Sequence, residues 1–196
     1  MLIWLAFILG MIYHVNANNA RRSLQQIPPP PPYFNEEASL GQWFVQYRLP
    51  GCGFDSSDRI RDYVQSLVRH PKGLVSYDTW RNDVTQMCNT LSTMYYPTNP
   101  RGVFKIKDPI GSIWSGLAVN VAVDGKRYKI FYGCPKMSAI GDRCDDPFLN
   151  IYTRMPKPDP MTLAEIDSIL RKVLGFSLAS LPRTFHGRQC PLNSKF

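Results

Sequence analysis

Beyond Ala38, apolar side chains recur at every second position in short bursts. In residues 41–49 (GQWFVQYRL), Trp43, Val45 and Tyr47 share one face of an extended segment. Further runs rich in β-branched and aromatic residues occupy 91–96, 102–107, 117–123, 128–132 and 148–154, and 73–80 is an additional candidate. Asp124-Gly125 between two of these runs predicts a tight hairpin of type I′, a turn that needs residues tolerant of positive φ. Strands so short and so frequent predict a sandwich or a barrel.

Two stretches follow a different period. Ile60, Val64, Leu67 and Val68 fall at helical spacing, which predicts a helix over 58–70 stopped by Pro71. Leu163, Ile166, Ile169, Leu170 and Val173 form an apolar stripe behind a Thr162/Glu165 capping box. Arg171 and Lys172 suit the negative helix end, and Gly175 the C′ position. This second helix is expected to lay its stripe on the outside of a sheet.

The front of the chain reads differently. Residues 1–13 (MLIWLAFILGMIY) are uninterruptedly apolar over the length of a signal peptide, and Val15-Asn16-Ala17 supplies a small-residue cleavage pattern, with Ala20 the second choice. Residues 1–17 are therefore expected to be removed and the chain secreted. Residues 18–37 form an arm with Arg21-Arg22 and the run Pro28–Pro32, read as a stiff polyproline II spacer. A globular domain over 38–190 and a short tail over 191–196 complete the organisation.

Secretion changes how the cysteines read. Cys52, Cys88, Cys134, Cys144 and Cys190 lack paired C-x-x-C spacing, so an oxidising compartment favours disulfides, and an odd number leaves one thiol over. The formal charge of +8 favours anionic partners.

In their order, these landmarks resemble the lipocalins. Gly41-Gln42-Trp43 resembles the family's G-x-W motif, and Cys88 followed by a strand resembles its second strand. The hairpin over 119–134 resembles the pair around the family's central turn. Ile151-Tyr152-Thr153-Arg154-Met155-Pro156 resembles the last-strand I-x-S-R-x-P signature, which a helix follows here too. The closing residues 181–190 resemble a tail whose cysteine bonds back to the barrel.

The resemblance implies a mainly β fold, an antiparallel up-and-down β-barrel with a C-terminal α-helix packed outside and an extra helical insertion after the first strand. It implies structural roles for Gly41, Trp43 and Arg154, with the guanidinium stacked on the indole. It implies a disulfide Cys88–Cys190, and Cys134–Cys144 would close the loop 135–143, a separation a disulfide bridges easily; Cys52 is then odd, and its pairing with Cys134 or Cys144 is the alternative. The chain between Trp43 and Cys88 is longer than in the family and that between Lys107 and Leu117 shorter, so eight strands in the usual order are not assured.

The function the resemblance implies is secreted binding and transport of a small hydrophobic ligand of lipid, retinoid, steroid or tetrapyrrole class. Phe104, Trp114, Tyr128, Ile130 and Tyr132 are the candidate calyx residues, each equally explained by core packing. The alternative is an extracellular-matrix structural or organising protein. Its barrel would be a scaffold, and the arm, the basic surface and a disulfide partner at Cys52 would make contacts to a lipid or matrix surface. No catalytic motif of the G-x-S-x-G or H-E-x-x-H kind occurs, so no enzyme is expected. His70 reads as a helix-end residue and His186 as part of a solvated basic tail. Asp142, Asp145 and Asp146 lack calcium-loop spacing, so neither metal nor cofactor is expected. Scattered Lys and Arg without a recognisable module argue against nucleic acid.

Overall fold

The computed structural model describes residues 20, 22–49, 60–107, 116–139 and 142–191. The proposed signal segment, Cys52 and Trp114 lie outside these residues. A four-residue helix, α1 (Glu36–Ser39), is followed by eight strands: β1 (Gly41–Leu49), β2 (Ile60–His70), β3 (Gly73–Asn82), β4 (Cys88–Pro97), β5 (Val103–Lys107), β6 (Gly116–Asp124), β7 (Tyr128–Cys134) and β8 (Phe148–Thr153). Each strand pairs antiparallel with its neighbours in sequence, and β8 returns to β1, so the sheet closes into a barrel with no free edge. A helix, α2 (Pro160–Ile169), continues into a π turn over Leu170–Leu174 and ends at Gly175 in the left-handed region.

The stretch over 58–70 corrects the sequence reading, because it is not a helix. Residues Ile60–His70 form β2, paired with β3 from Ile60↔Asn82 to His70↔Gly73. The misleading spacing has a cause in the backbone: the register shifts between Arg61 and Val64, where Asp62 takes φ 53°. A bulge inserts an extra residue into the period of two, and the apolar positions then imitate a helix. With 73–82 as β3, the strands run in simple chain order.

The β6–β7 turn also differs from its expected type. Asp124 pairs with Tyr128 and accepts hydrogen bonds from the Lys126 and Arg127 N–H groups, giving a three-residue connection, and Gly125 does not take positive φ. Gly125 is needed for space instead: a Cβ there would lie 2.8 Å from the Ala38 methyl.

The cap of α2 moves as well. Asp159, not Thr162, is the N-cap and accepts from the Thr162 N–H at 2.9 Å, with Pro160 opening the helix. Glu165 turns away to accept from the Tyr128 hydroxyl at 2.7 Å and from Arg127 at 2.5 Å. Ile166, Leu170 and Leu174 are buried against the outer face of β7, while the wider π turn leaves Val173 exposed.

Ala20 and residues 22–34 make contacts with the barrel. Ala20 and Leu24 are fully buried in the cluster under α2, and the Leu24 carbonyl accepts from the Tyr132 hydroxyl at 3.0 Å. The Cys144 N–H donates to Gln25 at 2.7 Å, and Phe34 meets Phe104 edge-on with centroids 5.9 Å apart. A proline run cannot join a sheet, but it can lie along the wall as a strut between these two anchors. Disulfides join Cys88 to Cys190 and Cys134 to Cys144.

Candidate functional site

One end of the barrel is sealed. Arg154 at the end of β8 lays its guanidinium 3.5 Å over the Trp43 ring and donates to the carbonyls of Gln42, Leu40 and Gly125 at 2.8 Å each, and to Ala38 at 3.2 Å. The Trp43 indole N–H donates to the Ser39 carbonyl at 2.7 Å, so α1 is tied across the same end. Burial lowers the Arg154 pKa from its ordinary value.

The opposite end is the mouth. In an up-and-down barrel, the β1–β2, β3–β4, β5–β6 and β7–β8 connections all fall at one end. The interior cavity lies toward it, lined by Arg48 and Leu49 at the end of β1, Leu91 and Thr93 of β4, Ile106 of β5, and Phe148 and Asn150 of β8. Its deeper wall is Tyr63, Gln65, Asp78, Tyr95, Phe131 and Tyr152. The cavity holds about 40 Å³, room for about three waters rather than for a lipid chain.

The floor is a buried polar network. Lys129 donates to the Gln65 side-chain carbonyl oxygen, and the Gln65 amide donates to Asp78 at 3.2 Å and to Ser76 at 3.0 Å. The Ser76 hydroxyl donates to the other Asp78 oxygen, and the Tyr63 hydroxyl also bonds Asp78. The Lys129 ammonium position sits 4.9 Å from the Trp43 centroid and 4.5 Å from that of Tyr152. Burial pushes Asp78 up to about 6, against the opposing pull of its hydrogen bonds and of Lys129, and holds Lys129 well below its ordinary range. Burial also raises Tyr63, Tyr95 and Tyr152.

The candidate calyx residues divide. Phe104 points inward but lies below the cavity, edge-on to Tyr95 at 6.1 Å. Tyr128, Ile130 and Tyr132 face outward into the cluster with α2 and the arm, and do not line the calyx. The reason is parity: β7 is buried on both faces, so its apolar residues do not mark its inner side, and the inward residues are Lys129 and Phe131. Gly133 completes that inner row, since a Cβ there would fall 2.0 Å from the Phe148 ring. The sequence reading missed Asp78, Gln65 and Lys129 altogether. Their one legible signal was a polar residue set inside an apolar strand.

Two histidine readings also change. His70 ends a strand and accepts from the Lys72 N–H at 3.2 Å. His186 is half-buried, its Nε2 2.8 Å from the Val45 carbonyl and its ring edge-on to Phe44, and burial lowers its pKa. Among the described residues no group of three His, Cys, Asp or Glu is placed to hold a metal.

No family model and no curated protein matches this sequence. Solved structures do. Lobster apocrustacyanin A1 superposes with a TM-score of 0.62 at 14% identity, over 80% of this chain and 82% of that one. The cockroach major allergen Per a 4 does so at 0.61 and 16%, over 79% and 89%. The chain has the lipocalin fold. A biogenic amine-binding protein shares the lipocalin fold at a TM-score of 0.60 and 12% identity, over 76% and 80%. At such identities the likeness speaks for the fold, and the wall of the calyx is this chain's own.

Proposed function

We propose that this chain is a secreted, non-enzymatic binding protein whose calyx takes one small ligand with an apolar body and a single polar head. The observation that carries this reading is the cavity itself, whose wall sets a few polar groups among apolar and aromatic ones. Leu91, Ile106, Phe131 and Phe148 offer apolar surface, and Asp78 with Gln65 at the floor offers hydrogen-bonding partners. A volume of about 40 Å³ supports a compact guest over a retinoid, steroid or tetrapyrrole. The amine-binding protein of the same fold gives a precedent for a small polar-headed guest. Two disulfides fit an extracellular setting.

A second reading draws on the same volume. A barrel so nearly filled by side chains also suits a matrix scaffold that binds through its surface. Titration of Trp and Tyr fluorescence with a panel of small amines, short fatty acids and phenols separates the two. Saturable binding that is lost in Phe131→Arg supports the calyx. An unresponsive wild-type protein favours the scaffold.

A further inference from the structure

We propose that the face formed by the β3–β4 connection and the 183–188 segment docks on an anionic lipid membrane, with the barrel mouth toward the bilayer. This surface is distinct from the calyx, and its test does not require a calyx ligand.

The face is one unit. Chain segments on its two sides meet at Arg81, which donates to the Gln86 carbonyl at 2.9 Å on the loop side and to the Arg188 carbonyl at 3.2 Å on the tail side. The tail is laid between β1 and β2 by hydrogen bonds from Thr184 N–H to Gln46 at 2.8 Å and from Asp62 N–H to Phe185 at 2.9 Å. Cys88–Cys190 locks the same two segments covalently. A cleft of about 580 Å³ separates them, lined by Arg61, Gln86, Phe185 and Arg188 among others.

Its exposed chemistry is a mixture of large apolar groups and cations. Val84 is 72% exposed, Met87 65% and Phe185 59%, although each side chain is one the core ordinarily takes. Arg61 is paired with Asp83 at 2.7 Å and Arg81 with Asp62 at 3.4 Å, whereas Arg183 and Arg188 are exposed and have no acidic partner among the described residues. Arg183 instead lies 5.8 Å from the centroid of the Phe185 ring. Cations that answer a negative surface, beside apolar tips that enter its interfacial layer, are the two terms of peripheral membrane binding. An acidic glycan would engage the arginines but leave Val84, Met87 and Phe185 in water. The β3–β4 connection is at the mouth end, so a guest could pass between calyx and bilayer without crossing bulk solvent.

The test is flotation of the disulfide-intact protein with phosphatidylcholine vesicles, with and without added phosphatidylserine. Binding is expected only with the anionic lipid, and it should fall as salt rises. The Arg183→Ser/Arg188→Ser variant should bind about 30-fold more weakly, since each cation near such a surface is worth about fivefold. The Val84→Ser/Met87→Ser/Phe185→Ser variant should lose more than about tenfold. A thermal melt checks that each variant folds, and the wild-type salt and lipid dependence decides the matter if one does not. Equal binding to both vesicles, no binding to either, or retention on heparin without vesicle binding overturns the proposal.

Discussion

Asp78 offers the sharpest handle on the calyx floor. Its carboxyl is pushed from 3.8 to about 6, chiefly by burial, and each unit is worth about 1.4 kcal/mol, so ionising it in the fold costs about 3 kcal/mol. The sign follows from the direction. A carboxyl raised in the folded state carries that cost above its folded value, and the cost disappears as pH falls below the unfolded value of 3.8. Asp78→Asn removes the titration and keeps the shape. Urea unfolding of both proteins between about pH 7.5 and pH 3.5 follows the residue, because the titrations of groups not coupled to Asp78 cancel in the difference. The stability of the Asn variant minus that of wild type should shrink by about 3 kcal/mol over that range. Lys129→Met, which removes the cation that holds Asp78 down, should shift the wild-type transition to higher pH. A pH-independent difference would refute the burial argument. A difference that grows on acidification would show that Lys129 dominates Asp78 instead.

Other consequences follow from the same geometry. Arg154→Ala, which strands four carbonyls, three of those contacts part-buried, and uncovers Trp43, should cost about 1–3 kcal/mol in urea unfolding, and Arg154→Lys should recover only part. Removing Cys88–Cys190, which spans 102 residues, should cost about 5 kcal/mol, and removing Cys134–Cys144, which spans 10, about 3 kcal/mol at most. On β7, Phe131→Ala should alter ligand affinity, whereas Ile130→Ala should cost about 2–5 kcal/mol of stability and leave affinity unchanged.

The β-rich, turn-bounded strands left a sandwich or a barrel open in the sequence, and the likeness of the segments around Trp43 and Arg154 to the lipocalin signatures pointed to the barrel. The β2 segment was not legible, since a bulge at Asp62 broke the alternation on which strand reading depends. The calyx was hidden for a related reason. A strand with one buried face announces its inside, but β7 and β8 are buried on both faces, under α2 and the arm as well as around the cavity. Hydrophobicity then points to Tyr128, Ile130 and Tyr132 as readily as to Phe131. The residue that fixes the parity is Lys129, which elementary expectation places in solvent. Only tertiary partners, Gln65 and the Trp43 and Tyr152 rings, account for its place inside.

The central claim is that the calyx holds a small guest. Native mass spectrometry of the protein, purified without detergent and followed by solvent extraction, tests it most directly. The account predicts a single compact adduct at near one per chain, lost in Phe131→Arg. A bare protein mass that no small amine, short fatty acid or phenol alters would contradict it.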